Sequence, residues 1–258
     1  MDQNKSSTKE YRQIISCILD VGELLLKNGA EVMRVEDTIT RLCDAYGFSS
    51  SDVLTITSSI LLTAVAPDGD IITQTRRIKS RSTDLSLVGR VNALSREIAA
   101  NPMPSDKFTR MLEEAQNDKV YSRRTIFITY GFVSAFFAVF FGGDFADGIA
   151  SFISGLILYI VQQLGGKLRM NSTLLNTLCS AITAFVIVVL LHIGIGHHSD
   201  KIMIGNIMLL IPGLALTTSL RDLINGDTIS GLLGLFEAVI KAIAIAIGSA
   251  LVLQGLGV

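Results

Sequence analysis

Charge is scarce in the second half of this 258-residue chain. From residue 125 onward the basic residues are Lys167, Arg169, Lys201, Arg221 and Lys241. The acidic ones are Asp144, Asp147, Asp200, Asp222, Asp227 and Glu237, which leaves 17 of the 22 basic and 17 of the 23 acidic residues in 1–124. A water-soluble first half joined to a membrane second half is the reading that fits. The formal net charge of −1 leaves no electrostatic footprint for nucleic acid. Cysteine is also sparse. Cys17, Cys43 and Cys179 are scattered with no CxxC, which excludes a disulfide framework and marks them as reduced packing residues. No signal peptide is evident, because Asp20 and Glu23 interrupt the apolar run after Arg12. Insertion then falls to the later spans, and the first half is expected on the cytoplasmic side.

Chemical motifs are missing as well. Gly165-Gly166-Lys167-Leu168 lacks the upstream glycine and the Ser/Thr of a phosphate-binding loop, so no nucleotide cofactor is indicated. Pro67-Asp68-Gly69-Asp70 has too few oxygen ligands for a calcium loop. His192, His197 and His198 have no carboxylate or thiolate at zinc-like spacing, and read as corner residues without a metal. There is no GxSxG, no HExxH and no cysteine with a nearby histidine, so no catalytic residue is assigned.

What is present is periodicity. Tyr11–Leu26 carries a broad apolar helical face, with Gly29 placed as its C′ residue, and a second helix runs from about Glu31 to Tyr46. Asp52–Val65 is rich in β-branched residues, Pro67–Asp70 is turn chemistry and Ile71–Arg77 returns, which predicts a hairpin. Leu85–Ala99 and Ser105–Ala115 read as two more amphipathic helices. The expectation is an α-helical membrane protein with an N-terminal cytoplasmic α+β domain: residues 1–120 for that domain and 121–258 for five transmembrane helices.

The spans fall at 125–143, 148–164, 172–196, 202–220 and 228 to the C-terminus. Lys119, Arg123 and Arg124 precede the first, Lys167 and Arg169 follow the second, and Arg221 follows the fourth. That alternation predicts a multi-pass protein of the cell (plasma or inner) membrane, N-terminus cytoplasmic and C-terminus outside. On the fifth span, Ala242, Ala246 and Ala250 form a small-residue stripe suited to helix packing. Glu237 and Lys241 lie one turn apart within it, and ionisable groups inside a span point to function.

The stretch from Asn206 to Asp227 begins as an apolar helix and is broken by Pro212 and Gly213. Thr217, Thr218, Ser219, Arg221, Asp222 and Asp227 follow. Apolar, broken, then polar is the pattern of a membrane helix that lines a path. Ile211-Pro212-Gly213, Arg221-Asp222 and Gly226-Asp227-Thr228 resemble the signature of the threonine/serine exporter (ThrE) family, and in particular its shorter YjjP-like members. Gly29-Ala30 and Arg34-Val35-Glu36-Asp37-Thr38 resemble the family's N-terminal segment, so the likeness spans nearly the whole chain.

The resemblance implies export of small polar metabolites: threonine and serine, or a C4-dicarboxylate such as succinate. With no ATP motif, secondary transport coupled to protons is the expected energy source. Chains of this family with a second membrane block are longer, which implies a short multi-span membrane partner or a homo-oligomer here. The expected substrate path is Asn206, Pro212, Gly213, Thr217, Thr218, Arg221, Asp222, Asp227, Glu237 and Lys241. Arg221 would attract a substrate carboxylate, with Asp222 holding it in place. Gly29, Arg34, Glu36, Asp37 and Thr38 form an N-terminal motif that contacts substrate, partner or the membrane half. The alternative from another class is a membrane-anchored cytoplasmic enzyme of hydrolase-like character, or a sensor domain.

Overall fold

The computed structural model describes residues 2–117, 121–168 and 170–256; Lys119 and Arg169 of the charge pattern lie outside them. The chain divides into two compact units. One comprises Met1–Val120 with Leu214–Leu235, the other Tyr121–Gly213 with Phe236–Val258.

In the first unit, α1 (Asp2–Lys27), α2 (Val32–Ala45), α3 (Leu85–Ala100) and α4 (Ser105–Asn117) accompany β1 (Ser50–Ile56), β2 (Ser59–Val65) and β3 (Ile71–Arg77). α1 starts well before Tyr11, because apolar periodicity does not register polar helical turns. It stops where expected. Gly29 takes φ +99°, and Ala30 N–H reaches back to the carbonyl of Leu25, the left-handed helix stop that glycine permits. The predicted hairpin is a three-stranded antiparallel meander, order β1-β2-β3. Thr57 and Ser58 turn the chain inside the β-branched run, and Ile56 pairs with Ser59 across that turn. Two tight residues without Gly or Pro gave no breaker signal.

Ile60, Leu62 and Ala64 of the central strand alternate inward. They join Ile15, Ile18, Leu19 and Leu25 of α1, Val35, Ile39 and Leu42 of α2, and Phe108 of α4 in one core. Cys17 and Cys43 are free and buried here, and burial pushes the Cys43 thiol up to about 12.

The second unit holds α5 (Arg123–Phe140), α6 (Phe145–Lys167), α7 (Ser172–His192) and α8 (Ser199–Ile207). From Leu214, α9 (Gly213–Asn225) belongs to the first unit, as does the start of α10 (Thr228–Gly255), whose residues from Phe236 belong to the second. Among the described residues four helices are long and apolar enough to cross a membrane: α5, α6, α7 and α10. Phe132, Phe136, Phe140, Phe145 and Phe185 stand exposed on them, as lipid-facing side chains do. The expected fourth span, 202–220, is not one helix. It stops at Ile207, turns through Met208–Pro212 and resumes at Gly213. Pro212 has no N–H to continue the ladder, so the break lies on its N-terminal side.

The alanine stripe is corrected by the burial pattern. Ala242, Ala246 and Ala250 lie on the exposed side of α10, and the packed face carries Ala244, Ile245, Gly248 and Ser249. Gly248 sets that face. A Cβ there would collide with Ser180 Oγ and the Thr177 carbonyl of α7, so the two backbones touch only because glycine is present.

Candidate functional site

The two sequence motifs meet within the first unit. α2 opens at Glu31, whose backbone is extended and whose side chain caps nothing. The free N–H of Val32 is taken instead by Asp222 of α9, which accepts it on Oδ1 at 3.2 Å. A carboxylate at a helix N-terminus satisfies an orphan donor and complements the helix dipole. Next to it the Arg221 guanidinium donates to Glu31 Oε1, which also faces Arg34 at 3.8 Å. Glu36 accepts the N–H of Thr55 on β1 at 2.7 Å, and the Thr55 carbonyl accepts from Ser230 Oγ of α10 at 3.3 Å. Arg221 is thus paired with Glu31 and Asp222 with Val32; the expectation that Asp222 holds Arg221 is replaced by these contacts. Sequence distance hid them, since Arg221 and Glu31 are 190 residues apart.

Burial is the main cause that raises both Asp222 and Glu36 above the ordinary carboxylate range. The donated N–H groups act in the opposite sense, and the nearby Asp227 carboxylate raises both further. Asp227 itself donates its N–H to the Asp222 carbonyl, closing α9 through Gly226 at φ +97°. Thr218 turns its hydroxyl back onto the carbonyls of Leu214 and Ala215, while Thr217 is exposed. Arg34, Asp37 and Thr38 line an open cavity on the other face of α2 from Glu36.

Asn206 belongs to the second unit, as do Glu237 and Lys241, so the expected path residues are divided between the units. Asn206 is fully buried at the end of α8. Its Nδ2 donates to Ser154 Oγ at 2.7 Å, Ser151 Oγ at 3.2 Å and the Ile202 carbonyl at 2.9 Å. Ser151 and Ser134 share a 2.7 Å hydrogen bond, and Ser151 Oγ also lies 2.9 Å from the Ser134 carbonyl. Asn206 Oδ1 is buried without a partner among the described residues. Gly205 makes the approach possible: a Cβ there would lie 2.5 Å from the Ser134 carbonyl and 2.7 Å from Ser151 Oγ. Ser134, Ser151 and Ser154 were not anticipated. Serine barely lowers the hydropathy of a span, and the only signal was the i, i+3 pairing of Ser151 and Ser154.

At the other corner Asp144 and Asp147 form a capping box that starts α6. Asp147 Oδ1 accepts the N–H groups of His197 and His198 at 2.7 and 2.9 Å, and Oδ2 accepts Asp144 N–H and the His198 ring. Asp144 meets His197 Nδ1 at 2.5 Å. Ligand atoms of Asp144, Asp147 and His197 lie within 4.8 Å of one another, but both Asp147 oxygens are occupied in joining loop to helix.

Apolar helices of spanning length with buried polar groups among them define a helical membrane protein. The chain belongs to the ThrE family, whose model, described as "Putative threonine/serine exporter", matches residues 16–255. It is 22% identical over 245 residues to the "Probable succinate transporter subunit YjjP" of Klebsiella aerogenes, covering 95% of this chain and 94% of that one. The protein of the same name in Escherichia coli is 22% identical over 226 residues, 87% and 88% of the two chains. The "Probable threonine/serine exporter" of Mycobacterium tuberculosis is also 22% identical across 95% of this chain, which spans 46% of that protein. No solved structure matches. Family and spanning helices together make this a cell-membrane protein.

Proposed function

We propose that this chain is one subunit of a proton-coupled exporter of small polar metabolites that carry a carboxylate, threonine and serine or a C4-dicarboxylate such as succinate. It works with a separate short multi-span membrane protein. In this reading residues 1–120 form a cytoplasmic domain, residues 202–220, broken between α8 and α9, are the fourth of five passes, and the C-terminus faces outside. The relatives covered almost end to end are named as transporter subunits, which supports a partner supplied in trans.

The observation that carries the reading is Asn206: a fully buried amide whose carbonyl oxygen has no partner among the described residues, among serines, where a helix stops inside an apolar unit. Such a group costs free energy unless something polar passes it. The test is export of labelled threonine and succinate from cells carrying this chain, with and without a co-expressed short multi-span protein of the family. Export is expected only with both, and Asn206→Leu is expected to lower it at least tenfold with insertion intact. Full export by this chain alone in liposomes sinks the two-subunit reading, and parental export by inserted Asn206→Leu sinks the path.

A further inference from the structure

The cavity beside α2 is a site in its own right. It measures about 250 Å³ and lies between α2 and α3 of the first unit. Arg34, Asp37, Thr38 and Arg41 occupy positions i, i+3, i+4 and i+7, one stripe of α2. Asn92 and Arg96, one turn apart on α3, form the facing wall, and Glu31 and Met33 complete the lining at the start of α2, Glu31 being paired with Arg221 and facing Arg34.

Arg41 is fixed across the groove: its Nη2 donates to Thr38 Oγ1 at 3.3 Å and to Ser95 Oγ at 3.2 Å. Its Nε is buried and has no partner among the described residues. No carboxylate among them lies within ion-pair distance of Arg41 or Arg96, whereas Arg34 has Glu31. Two guanidinium groups without a carboxylate partner among the described residues, one of them held in place by two hydroxyls, suit the carboxylate of a ligand. Asp37 has no ion pair among the described residues either. Beside the arginines it disfavours a doubly charged anion and favours a ligand with a cationic end.

We propose that this groove binds a small zwitterionic α-amino acid, its carboxylate on Arg41 and Arg96 and its ammonium on Asp37. The volume admits a molecule of a few carbons. The site stands apart from the export reading, because binding needs neither a gradient nor a partner.

The test is calorimetric titration of the full chain in detergent with L-threonine, succinate and inorganic phosphate. Helical content and size-exclusion profile confirm the fold of each variant. Threonine is expected to bind, with Asp37→Asn and Arg96→Gln each weakening it at least tenfold, and with Arg41→Lys, which keeps the charge but not the fork, weakening it as well. No threonine binding by the parent overturns the site. Binding insensitive to all three substitutions moves it elsewhere in the chain and overturns it equally. Tighter binding of succinate or phosphate, strengthened by Asp37→Asn, replaces the ligand class.

Discussion

Asp222 caps a helix that begins 190 residues earlier in the chain, accepting the N–H of Val32 at 3.2 Å. With Arg221 on Glu31 and Ser230 on Thr55, that contact ties the corner between α9 and α10 to the start of α2 and the end of β1. Asp222→Ala is therefore expected to cost about 1 kcal/mol, the usual loss when a cap is removed. Asp222→Asn keeps an acceptor and should cost a few tenths of that. Chemical denaturation of the detergent-solubilised chain, followed by far-UV circular dichroism, measures both. Equal midpoints for the alanine variant and the parent would mean that the cap contributes nothing.

The same junction makes stability depend on pH. Burial raises Asp222 and Glu36, so the folded unit holds their protons more tightly than the unfolded chain does. Their contribution is full below the ordinary carboxylate value of about 4 and is lost as pH rises through the raised folded values. Thermal midpoints are expected to decline across that window, and the double variant Asp222→Asn, Glu36→Gln should flatten the decline. An unchanged slope in the double variant assigns the pH dependence to other groups.

His197 and Asp144 make the opposite kind of pair. The hydrogen bond to Asp144 raises His197 above its ordinary value, and the contacts to Asp147 N–H and His197 lower Asp144. The attraction is complete below about 6.5 and fades as pH rises through the raised histidine value. Nuclear magnetic resonance titration of the ring should show that elevation, and Asp144→Asn should bring it down. Both side chains are exposed, so the effect on global stability is small.

Much of this was readable from residues 1–117 and from the spans. Apolar periodicity located α1 to α4, the glycine at 29 marked a helix stop, and long uncharged runs located α5, α6 and α7. Two things were not readable. The Thr57–Ser58 turn uses residues equally at home in a strand. The site required knowing that Arg221 meets Glu31, a pairing that neither local propensity nor spacing encodes. The motif residues were recognisable one by one, whereas their partners were not. Asn206 was legible as polar in a span, but its serine neighbours come from two other helices and gave only a faint pattern.

Gly205 and Pro212 bracket the end of α8 and should respond differently. Gly205→Val places carbon atoms where the Ser134 carbonyl and Ser151 Oγ now lie, and overpacking of that kind costs about 1–3 kcal/mol. Export and thermal stability should fall together. Pro212→Ala restores a single N–H and removes a ring, so stability should change little while export falls, if the break serves the path. Parental export by inserted Pro212→Ala would show that the break is only architectural.

Arg221 has two possible uses, docking on Glu31 or attracting a substrate carboxylate, and they separate in a mutant cycle. As a docking pair it is weak: the Arg221 side chain is 54% exposed, so screening limits the contact to about 0–1 kcal/mol. Glu31→Gln should then leave export within about threefold of the parent while removing the pair. Arg221→Gln, if the charge also serves substrate, should lower export tenfold or more, and the combined variant should match Arg221→Gln alone. Arg221→Lys keeps charge without the planar fork and should be intermediate. Rates are read as efflux of labelled threonine and succinate, with insertion checked by membrane fractionation. Equal, small losses for Glu31→Gln, Arg221→Gln and their combination would reduce Arg221 to a docking residue and remove it from the substrate path.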